Sequence, residues 1–375
     1  MNIKSLLIGS AAAIVAVSGA RAADAVVVAE PEPMEYVRVC DVYGAGFYYI
    51  PGTETCLRVG GYLRYDIGVG MWGHQDVVDR KDFAEDGVLD YNDTYYKLMR
   101  AQVQLDARGE TEFGTLRGYM ALNFNNETDV TGGVLNQVFT DSFFAFDHAW
   151  IELGGFRVGY SDSMFEWLTD SAGAVIQDSI VAYSPGKSHQ ISYTFTAGNG
   201  FAATIGFEEG NNGRGGIYTL DSYVPHVVAG ASFTQGWGKV AAVVGYDSVW
   251  EEWAGKVRVD VNATENITLF AMAGYKSGAD DDDFGGLDAP NFYGVWGGDW
   301  AVWAGGTARF NEKTALNVQL SYDEDETFGA VVGLDYNIVP LFVIRPEISY
   351  ASVQDPVTGE REDDWGGYLR FQRSF

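Results

Sequence analysis

The sequence predicts an all-β protein, a transmembrane antiparallel β-barrel of about sixteen strands. Three observations lead to this prediction: an N-terminal export signal, a composition rich in aromatic residues and glycine, and a long series of segments in which apolar and polar residues alternate. The chain has 22 Tyr, 22 Phe, 10 Trp and 47 Gly but only 9 Pro. Strands that face lipid on one side and water on the other produce such a composition.

The first 22 residues have the features of a signal peptide. Lys4 supplies positive charge, residues 6–17 form an apolar run, and small residues occupy positions 20 and 22, where a signal peptidase reads the chain. The apolar run is too short to span a bilayer as a helix. We therefore expect cleavage before Ala23 and export of the mature chain.

The chain is strongly acidic, with 52 Asp and Glu against 24 Lys and Arg and a formal net charge of −28. This charge would repel the phosphates of a nucleic acid, so we expect no nucleic-acid partner. Disordered chains are often acidic too, but they lack the 14% aromatic and 47% hydrophobic residues found here. The composition therefore predicts a folded protein.

Two cysteines, Cys40 and Cys56, lie near the N-terminus of the mature chain. An exported protein meets an oxidising compartment, where such a pair favours a disulfide, and closing this loop would stabilise the fold by roughly 3 kcal/mol. Two free thiols are the alternative. A zinc site would need further ligands, and the four histidines are scattered, so we expect no metal and no cofactor.

From Leu57 onward, segments of about 8–12 residues with period-two alternation are separated by turn signals. In the first segment Leu63 and Tyr65 point to one side, whereas Arg64 and Asp66 point to the other. We predict a signal peptide at 1–22, a periplasmic-side segment with the cysteine pair at 23–56, and the transmembrane barrel at 57–375.

The links between these segments alternate between short and long. Short links occur at 154–155, 198–200, 235–237 and 262–265, and long polar ones at 70–92, 126–141, 210–224, 277–295 and 354–363. Outer-membrane barrels have short turns at one end and long loops at the other. Sixteen strands also leave an aqueous lumen rather than a packed core.

The last segment, residues 364–375, ends the chain on an aromatic residue. Trp365, Leu369, Phe371 and Phe375 share one face of the predicted strand. This ending resembles the signal by which outer-membrane proteins are recognised for insertion, and we assign that signal to Phe375. A chance Phe at the end of an edge strand is the alternative.

The sequence resembles the general porin family of alphaproteobacteria over essentially the whole mature chain. The resemblance is carried by YVRVCD (36–41), YYIPGTETCLR (48–58), ETEFGTL (110–116), GGDWAVW (297–303) and RFQRSF (370–375). It implies a sixteen-stranded barrel in the Gram-negative outer membrane, a homotrimer, and a third extracellular loop that folds inward to narrow the pore. It also implies passive diffusion of small hydrophilic solutes and ions.

We predict the pore constriction at this third loop, which follows the fifth strand and spans residues 161–187. Its candidate acids are Asp162, Glu166 and Asp170. The candidate inward-facing arginines are Arg64, Arg100, Arg117, Arg157, Arg345 and Arg370. Acids opposite guanidinium groups would set a transverse field that filters charged solutes. The alternative is that the arginines pair with lumen acids such as Asp66, Asp106 and Glu347.

Two other functions stay open, a plugged structural or adhesive barrel and an outer-membrane barrel hydrolase. A hydrolase needs a nucleophile held by an oriented base. The sequence has no Gly-x-Ser-x-Gly motif, and His74, His148, His189 and His226 do not lie near a plausible nucleophile in sequence. We therefore predict a channel and not an enzyme.

Charges outside the constriction give weaker predictions of ion binding and ion selectivity than the candidate residues of the third loop. Asp280 to Asp283 form an acidic run in a long loop, which we interpret as solvated extracellular charge that could bridge lipopolysaccharide through divalent ions, with calcium binding as the alternative. The negative net charge favours a weak cation preference. Only charges within about a Debye length, ~8 Å, of the narrowest point should dominate selectivity.

Overall fold

A computed structural model of the chain describes residues 38–132, 136–211, 217–278, 290–354 and 359–375. Val39 to Phe375 belong to one structural unit. The predicted signal peptide, residues 23–37 of the predicted periplasmic-side segment, and the acidic run at 280–283 lie outside the described residues.

The described residues form nineteen strands. They are β1 (Tyr48–Tyr49), β2 (Cys56–Gly70), β3 (His74–Val78), β4 (Tyr91–Thr94), β5 (Tyr96–Thr111), β6 (Gly114–Val130), β7 (Val138–Leu153), β8 (Phe156–Asp162), β9 (Lys187–Thr196), β10 (Phe201–Glu208), β11 (His226–Gln235), β12 (Gly238–Asp247), β13 (Glu252–Thr264), β14 (Ile267–Lys276), β15 (Trp300–Arg309), β16 (Thr314–Asp323), β17 (Phe328–Val339), β18 (Phe342–Gln354) and β19 (Arg361–Ser374). A short helix, α1 (Arg80–Asp86), lies between β3 and β4.

Sixteen of these described strands, β2 and β5–β19, close into an antiparallel barrel. Each strand pairs with the next, and β19 pairs with β2 to complete the ring. Alternation sets the two faces as predicted: Leu63 and Tyr65 are exposed on the outside, whereas Asp66 is buried on the inside. The predicted all-β barrel of about sixteen strands is therefore confirmed.

The connections differ between the two ends of the barrel. At one end they are tight turns of two to four residues, such as 154–155 and 236–237. At the other end lie L1 (71–95, with β3, α1 and β4), L3 (163–186), L4 (209–225) and L6 (277–299) among shorter links. No helix in the described part of the chain is both long and apolar enough to cross a membrane.

The long loop predicted at 126–141 is wrong. There, β6 and β7 stay paired as far as Val130 and Val138, so only residues 131–137 form the link. Polar residues can continue a ladder past the barrel rim, because strands surrounded by water on both faces need no apolar side. The last strand likewise begins earlier than predicted, at Arg361 rather than residue 364.

The first described segment, from residue 38, and the C-terminal strand meet at the short-turn end of the barrel. The predicted disulfide is confirmed, with the Cα atoms of Cys40 and Cys56 6.0 Å apart and Phe47 buried beside them. β1 pairs with the first residues of β2. Phe375 exchanges backbone hydrogen bonds with Gly61, 3.0 and 3.1 Å long, which extends the β19–β2 closure by one more residue.

Candidate functional site: the inner wall of the barrel

L3 folds into the barrel. It starts with a one-turn helix, α2 (Met164–Trp167), whose preceding residue Ser163 accepts the N–H of Phe165 at 3.2 Å. Met164 and Phe165 are fully buried, so the loop turns away from the rim as soon as β8 ends. This is the inward-folded third loop that the family resemblance implied, with bounds 163–186 instead of 161–187.

Side chains of the wall bind the main chain of L3 along its length. At its start, Glu208 accepts a hydrogen bond from the Met164 N–H (2.6 Å). Near the middle of the loop, Glu347 accepts the N–H groups of Ile176 (2.5 Å) and Gln177 (2.9 Å). Other L3 carbonyls, between residues 171 and 183, accept bonds from Lys256, Arg258, Trp303 and Gln319. Because these anchors lie on β10, β13, β15, β16 and β18, L3 covers the wall from β10 to β18. We call this region the covered wall.

An apolar cluster fills the space between L3 and the covered wall. The Phe165 ring packs against Tyr293 (5.2 Å between ring centroids) and Trp296 (6.4 Å) of L6. Phe292, Tyr293 and Trp296 are buried, so the part of L6 that the structure describes before β15, residues 290–299, also folds inward. This role of L6 was not predicted from the sequence. The signal was present in Phe292 and Tyr293, inside the polar link predicted at 277–295, and in Trp296 directly after it.

The open wall, formed by β19, β2 and β5–β8, carries most of the predicted arginines. Arg64 and Arg100 face each other in register on β2 and β5. The Nε of Arg64 donates to Gln372 (2.8 Å), and the Nε of Arg100 donates to Asn125 (2.8 Å). Neither guanidinium forms an ion pair with a carboxylate in the described ranges, so two positive charges remain uncompensated here.

The other four predicted arginines are paired with acids on the wall. The pairs are Arg117 with Asp106, Arg157 with Glu152, Arg345 with Asp335, and Arg370 with Asp66. The alternative of pairing with lumen acids therefore describes all four, and two of the acids that it named, Asp106 and Asp66, are among the partners. Glu347, also expected as a partner, instead binds the main chain of L3.

The three predicted acids bind partners near or behind L3. Asp162 pairs with Lys187, and Glu166 accepts a hydrogen bond from the Ser184 hydroxyl. Asp170 pairs with Lys239 of β12 (2.6 Å) on the covered wall. Burial raises the pKa of the Glu166 carboxyl, and the neighbouring Asp162 adds to this shift. No contact in the described residues joins these acids to Arg64 or Arg100.

One histidine lies within hydrogen-bonding distance of a serine, and such a pair could serve as the base and nucleophile of a hydrolase. His148 Nδ1 lies 3.0 Å from the Ser161 hydroxyl. Its other nitrogen is 3.7 Å from Asp147 and 3.8 Å from Asp162, too far for the hydrogen bond that orients a catalytic base. Ser161 is also buried, so this pair links β7 to β8 rather than presenting a nucleophile.

Further arginines reach the lumen near the short-turn end. Arg58 and Arg108 stand beside Arg117 around Asp106. Alternation places Arg58 on the same inward face as Arg64, and Arg108 on the same face as Arg100. The sequence therefore contained the signal for both residues, although neither was counted among the candidates.

Comparisons with known proteins agree with this architecture. The family model of a porin subfamily matches residues 24–372. The chain is 44% identical over 385 residues to porin Omp2b of Brucella suis biovar 1 (strain 1330) and to porin Omp2b of Brucella melitensis, with 100% of both chains covered in each comparison.

Solved structures of porins share the fold at low identity. A mutant of Rh. blastica porin has a TM-score of 0.54 and 12% identity, with 85% of this chain and 100% of that chain covered. An anion-selective porin from Comamonas acidovorans has a TM-score of 0.52 and 12% identity, with 86% and 100% covered. With the sixteen-stranded barrel, its inward loop and these relatives, the chain belongs to the general porin family of alphaproteobacteria and forms an outer-membrane channel.

Proposed function

We propose that this porin is a passive channel for small hydrophilic solutes and ions, without catalytic activity, and that its narrowest section lies between L3 and the open wall. One observation carries the proposal. L3 is bound to the covered wall through its main chain, so the passage that remains runs along β19, β2 and β5–β8. Arg64 and Arg100 lie in the middle of that wall.

We propose further that this section favours anions, in contrast to the weak cation preference suggested by the net charge. Charges more than about 8 Å from the narrowest point are largely screened at physiological salt. Asp170 pairs with Lys239, and Asp162 shares Lys187 with Asp147, so one carboxylate charge is left over here. Arg64 and Arg100 form no ion pair with a carboxylate among the described residues, so two guanidinium charges are left over. The uncompensated charge beside the passage is therefore positive.

The test neutralises the two arginines and measures selectivity. In a planar bilayer with a KCl gradient, Arg64→Gln/Arg100→Gln should move the reversal potential towards cations. The change should shrink at 1 M KCl, where the screening length is ~3 Å. Arg361→Gln is the control, since it removes a positive charge at the long-loop rim. Unchanged selectivity of the double variant at low salt would place the constriction elsewhere, and absence of conductance would favour the plugged barrel.

We propose that the chain assembles as a homotrimer and that its long-loop end contacts lipopolysaccharide. Support comes from the outer surface of β6 and β7, where exposed Phe124, Phe144 and Phe146 pack in a row with ring centroids 5.4 and 5.2 Å apart. Lipid or a second copy must cover such a surface. Native mass spectrometry in mild detergent should show trimers, and monomers alone would contradict the assembly.

Two parts of the export pathway also remain proposals. Cleavage before Ala23 is checked by sequencing the N-terminus of the mature protein. Phe375 as an insertion signal predicts that Phe375→Ala lowers the yield of assembled barrel without changing the conductance of the channels that do form. Equal yields of the variant and the wild type would remove this role from Phe375.

A further inference from the structure

Three guanidinium groups converge on one carboxylate at the short-turn end of the barrel. Asp106 accepts Nε and Nη2 of Arg108 (2.9 and 2.7 Å) and Nε and Nη2 of Arg117 (2.9 and 2.9 Å). Nη2 of Arg58 lies 3.4 Å from the same group. The Asp106 side chain is only 2% exposed, whereas those of Arg58, Arg108 and Arg117 are 43%, 21% and 25% exposed.

The cluster has more positive charge and more donors than Asp106 can satisfy. One carboxylate compensates one of three guanidinium charges. The remaining terminal nitrogen of Arg108 and of Arg117, together with Nε and Nη1 of Arg58, has no acceptor in the part of the chain that is described. These donors are available to an anion that enters the lumen.

Two other carboxylates lie near the cluster, and both already have partners. Glu152 accepts two hydrogen bonds from Arg157 (2.7 and 2.9 Å). Glu110 accepts the hydroxyls of Tyr43 (2.6 Å) and Thr115 (2.9 Å). Even when the charge of Glu110 is counted against the cluster, the three arginines leave an excess of positive charge.

The disulfide-closed segment packs directly against this cluster. The Phe47 ring lies 5.0 Å from the guanidinium carbons of both Arg58 and Arg108, and the Tyr43 ring lies 5.6 Å from that of Arg108. Phe47 is buried against Cys40 and Cys56. Cation–π contacts of this kind fix the plane of a guanidinium group, so the segment restricts the positions of two of the three arginines.

We propose that Arg58, Arg108 and Arg117 form an oxyanion-binding site at the short-turn end of the pore, and that the segment closed by Cys40–Cys56 holds Arg58 and Arg108 in place. In an outer-membrane barrel the short turns face the periplasm, so the site lies at the periplasmic mouth. Its ligand class is a small soluble oxyanion with two or more charges, because guanidinium groups donate paired hydrogen bonds to carboxylate and phosphate oxygens. The inference rests on the channel itself and not on the proposed constriction.

The experiment measures block of single-channel current by citrate added to one side of a bilayer containing the full-length porin. Citrate on the short-turn side should cause brief closures of the wild-type channel. Arg58→Gln should raise the citrate concentration for half-maximal block about tenfold or more, as expected for loss of a charged hydrogen bond. Arg58→Gln/Arg108→Gln should raise it further, and Arg361→Gln, which removes the same charge at the opposite rim, should leave it unchanged.

The role of the disulfide is tested with Cys40→Ser/Cys56→Ser. Heat-modifiable migration on gels and normal conductance first establish that this variant forms a barrel. Its citrate block should weaken, and adding Arg58→Gln to it should cause a smaller further loss than Arg58→Gln causes alone. Additive losses would show that the segment does not position Arg58 and would overturn that part of the proposal.

Two results would overturn the site as a whole. One is citrate block that is unchanged in both arginine variants. The other is loss of the block in Arg64→Gln/Arg100→Gln to the same extent as in Arg58→Gln/Arg108→Gln, because the anion would then bind at the constriction. If Arg64→Gln/Arg100→Gln changes neither selectivity nor block while Arg58→Gln weakens the block, the constriction proposal fails and the oxyanion site stands.

Discussion

The covered wall and the open wall of this barrel use the same alternation of side chains in different ways. On the covered wall, charged residues are buried beneath L3 and bind its main chain: Lys256 and Glu208 are fully enclosed, and Glu347 accepts two backbone N–H groups. On the open wall, charged residues bind one another, as Arg370 binds Asp66, or bind a neutral side chain, as Arg64 binds Gln372.

The difference follows from how water is excluded. A loop inside the barrel carries backbone polar groups that need partners once water is removed, so long charged or polar side chains of the wall supply them. Apolar packing of L3 on L6 then stabilises the loop as a soluble core would. Substitutions on the covered wall should therefore change the conductance of the pore and the noise of the open channel. Substitutions on the open wall should change the ion selectivity.

The largest expected effect comes from removing the apolar centre of the covered side. Phe165→Ala empties a fully buried site between Met164 and Tyr293, and such changes cost about 3–5 kcal/mol in packed cores. L3 should lose its fixed position, so single-channel conductance and open-channel noise should both rise. Phe195→Ala, at an exposed position on the outer surface of β9, is the matched control. Conductance and noise equal to wild type would show that the main-chain anchors alone hold L3.

A smaller effect is expected near the middle of L3, where Glu347 binds its main chain. In Glu347→Gln, one of the two carboxylate oxygens that accept the N–H groups of Ile176 and Gln177 becomes an amide NH₂, which cannot accept a hydrogen bond. The loss should cost about 1–3 kcal/mol. This part of the loop should open more often, which labelling of a Val175→Cys thiol, at a position that is buried in the wild type, would detect as a faster reaction. Glu326→Gln, at the outer rim, should leave the labelling rate unchanged. Equal rates in both variants would contradict the anchor role.

The sequence was sufficient to predict the faces of the strands and the disulfide. Side chains alternate with a period of two, so once Leu63 and Tyr65 face lipid, Arg64 must face the lumen. The disulfide needed only two nearby cysteines and an export signal. The long loop at 126–141 was predicted wrongly, because polar composition does not distinguish a loop from a hairpin that rises above the membrane.

Which lumen charges meet could not be predicted from the sequence, because pairing depends on strand register and barrel closure. Arg117 and Asp106 are 11 residues apart, whereas Arg370 and Asp66 are 304 apart and meet only where β19 joins β2. The same holds for Asp170 and Lys239, since the path of L3 decides whether an acid faces the pore or the wall. The alternation of side chains predicts whether a residue faces lipid or the lumen. It does not predict which lumen residue will be its partner.

The smallest effect is expected at a residue outside both walls, which sets a baseline for the comparison. Asp79 in L1 caps α1 by accepting the N–H groups of Lys81 (3.0 Å) and Asp82 (3.2 Å), and it also accepts a hydrogen bond from the Asn92 amide (2.7 Å). The bond from the Asp82 N–H, together with that from Asn92, lowers the pKa of Asp79 below its ordinary value. A carboxyl with a lowered pKa in the folded state stabilises the fold above its ordinary pKa, and this stabilisation is lost as the pH falls through the lowered value.

The cap should therefore hold α1 at neutral pH and release it only in acid. Asp79→Ala should speed amide hydrogen exchange at Lys81 and Asp82 at pH 6–7, because it removes the acceptor. Asp79→Asn keeps an acceptor without a titrating group, so its exchange should lack the extra acid-dependent loss of protection seen in the wild type. Conductance and selectivity should be those of the wild type in both variants, because Asp79 touches neither L3 nor the open wall. A change of conductance in Asp79→Ala would mean that L1 contributes to the narrow section and that the division into two walls is incomplete.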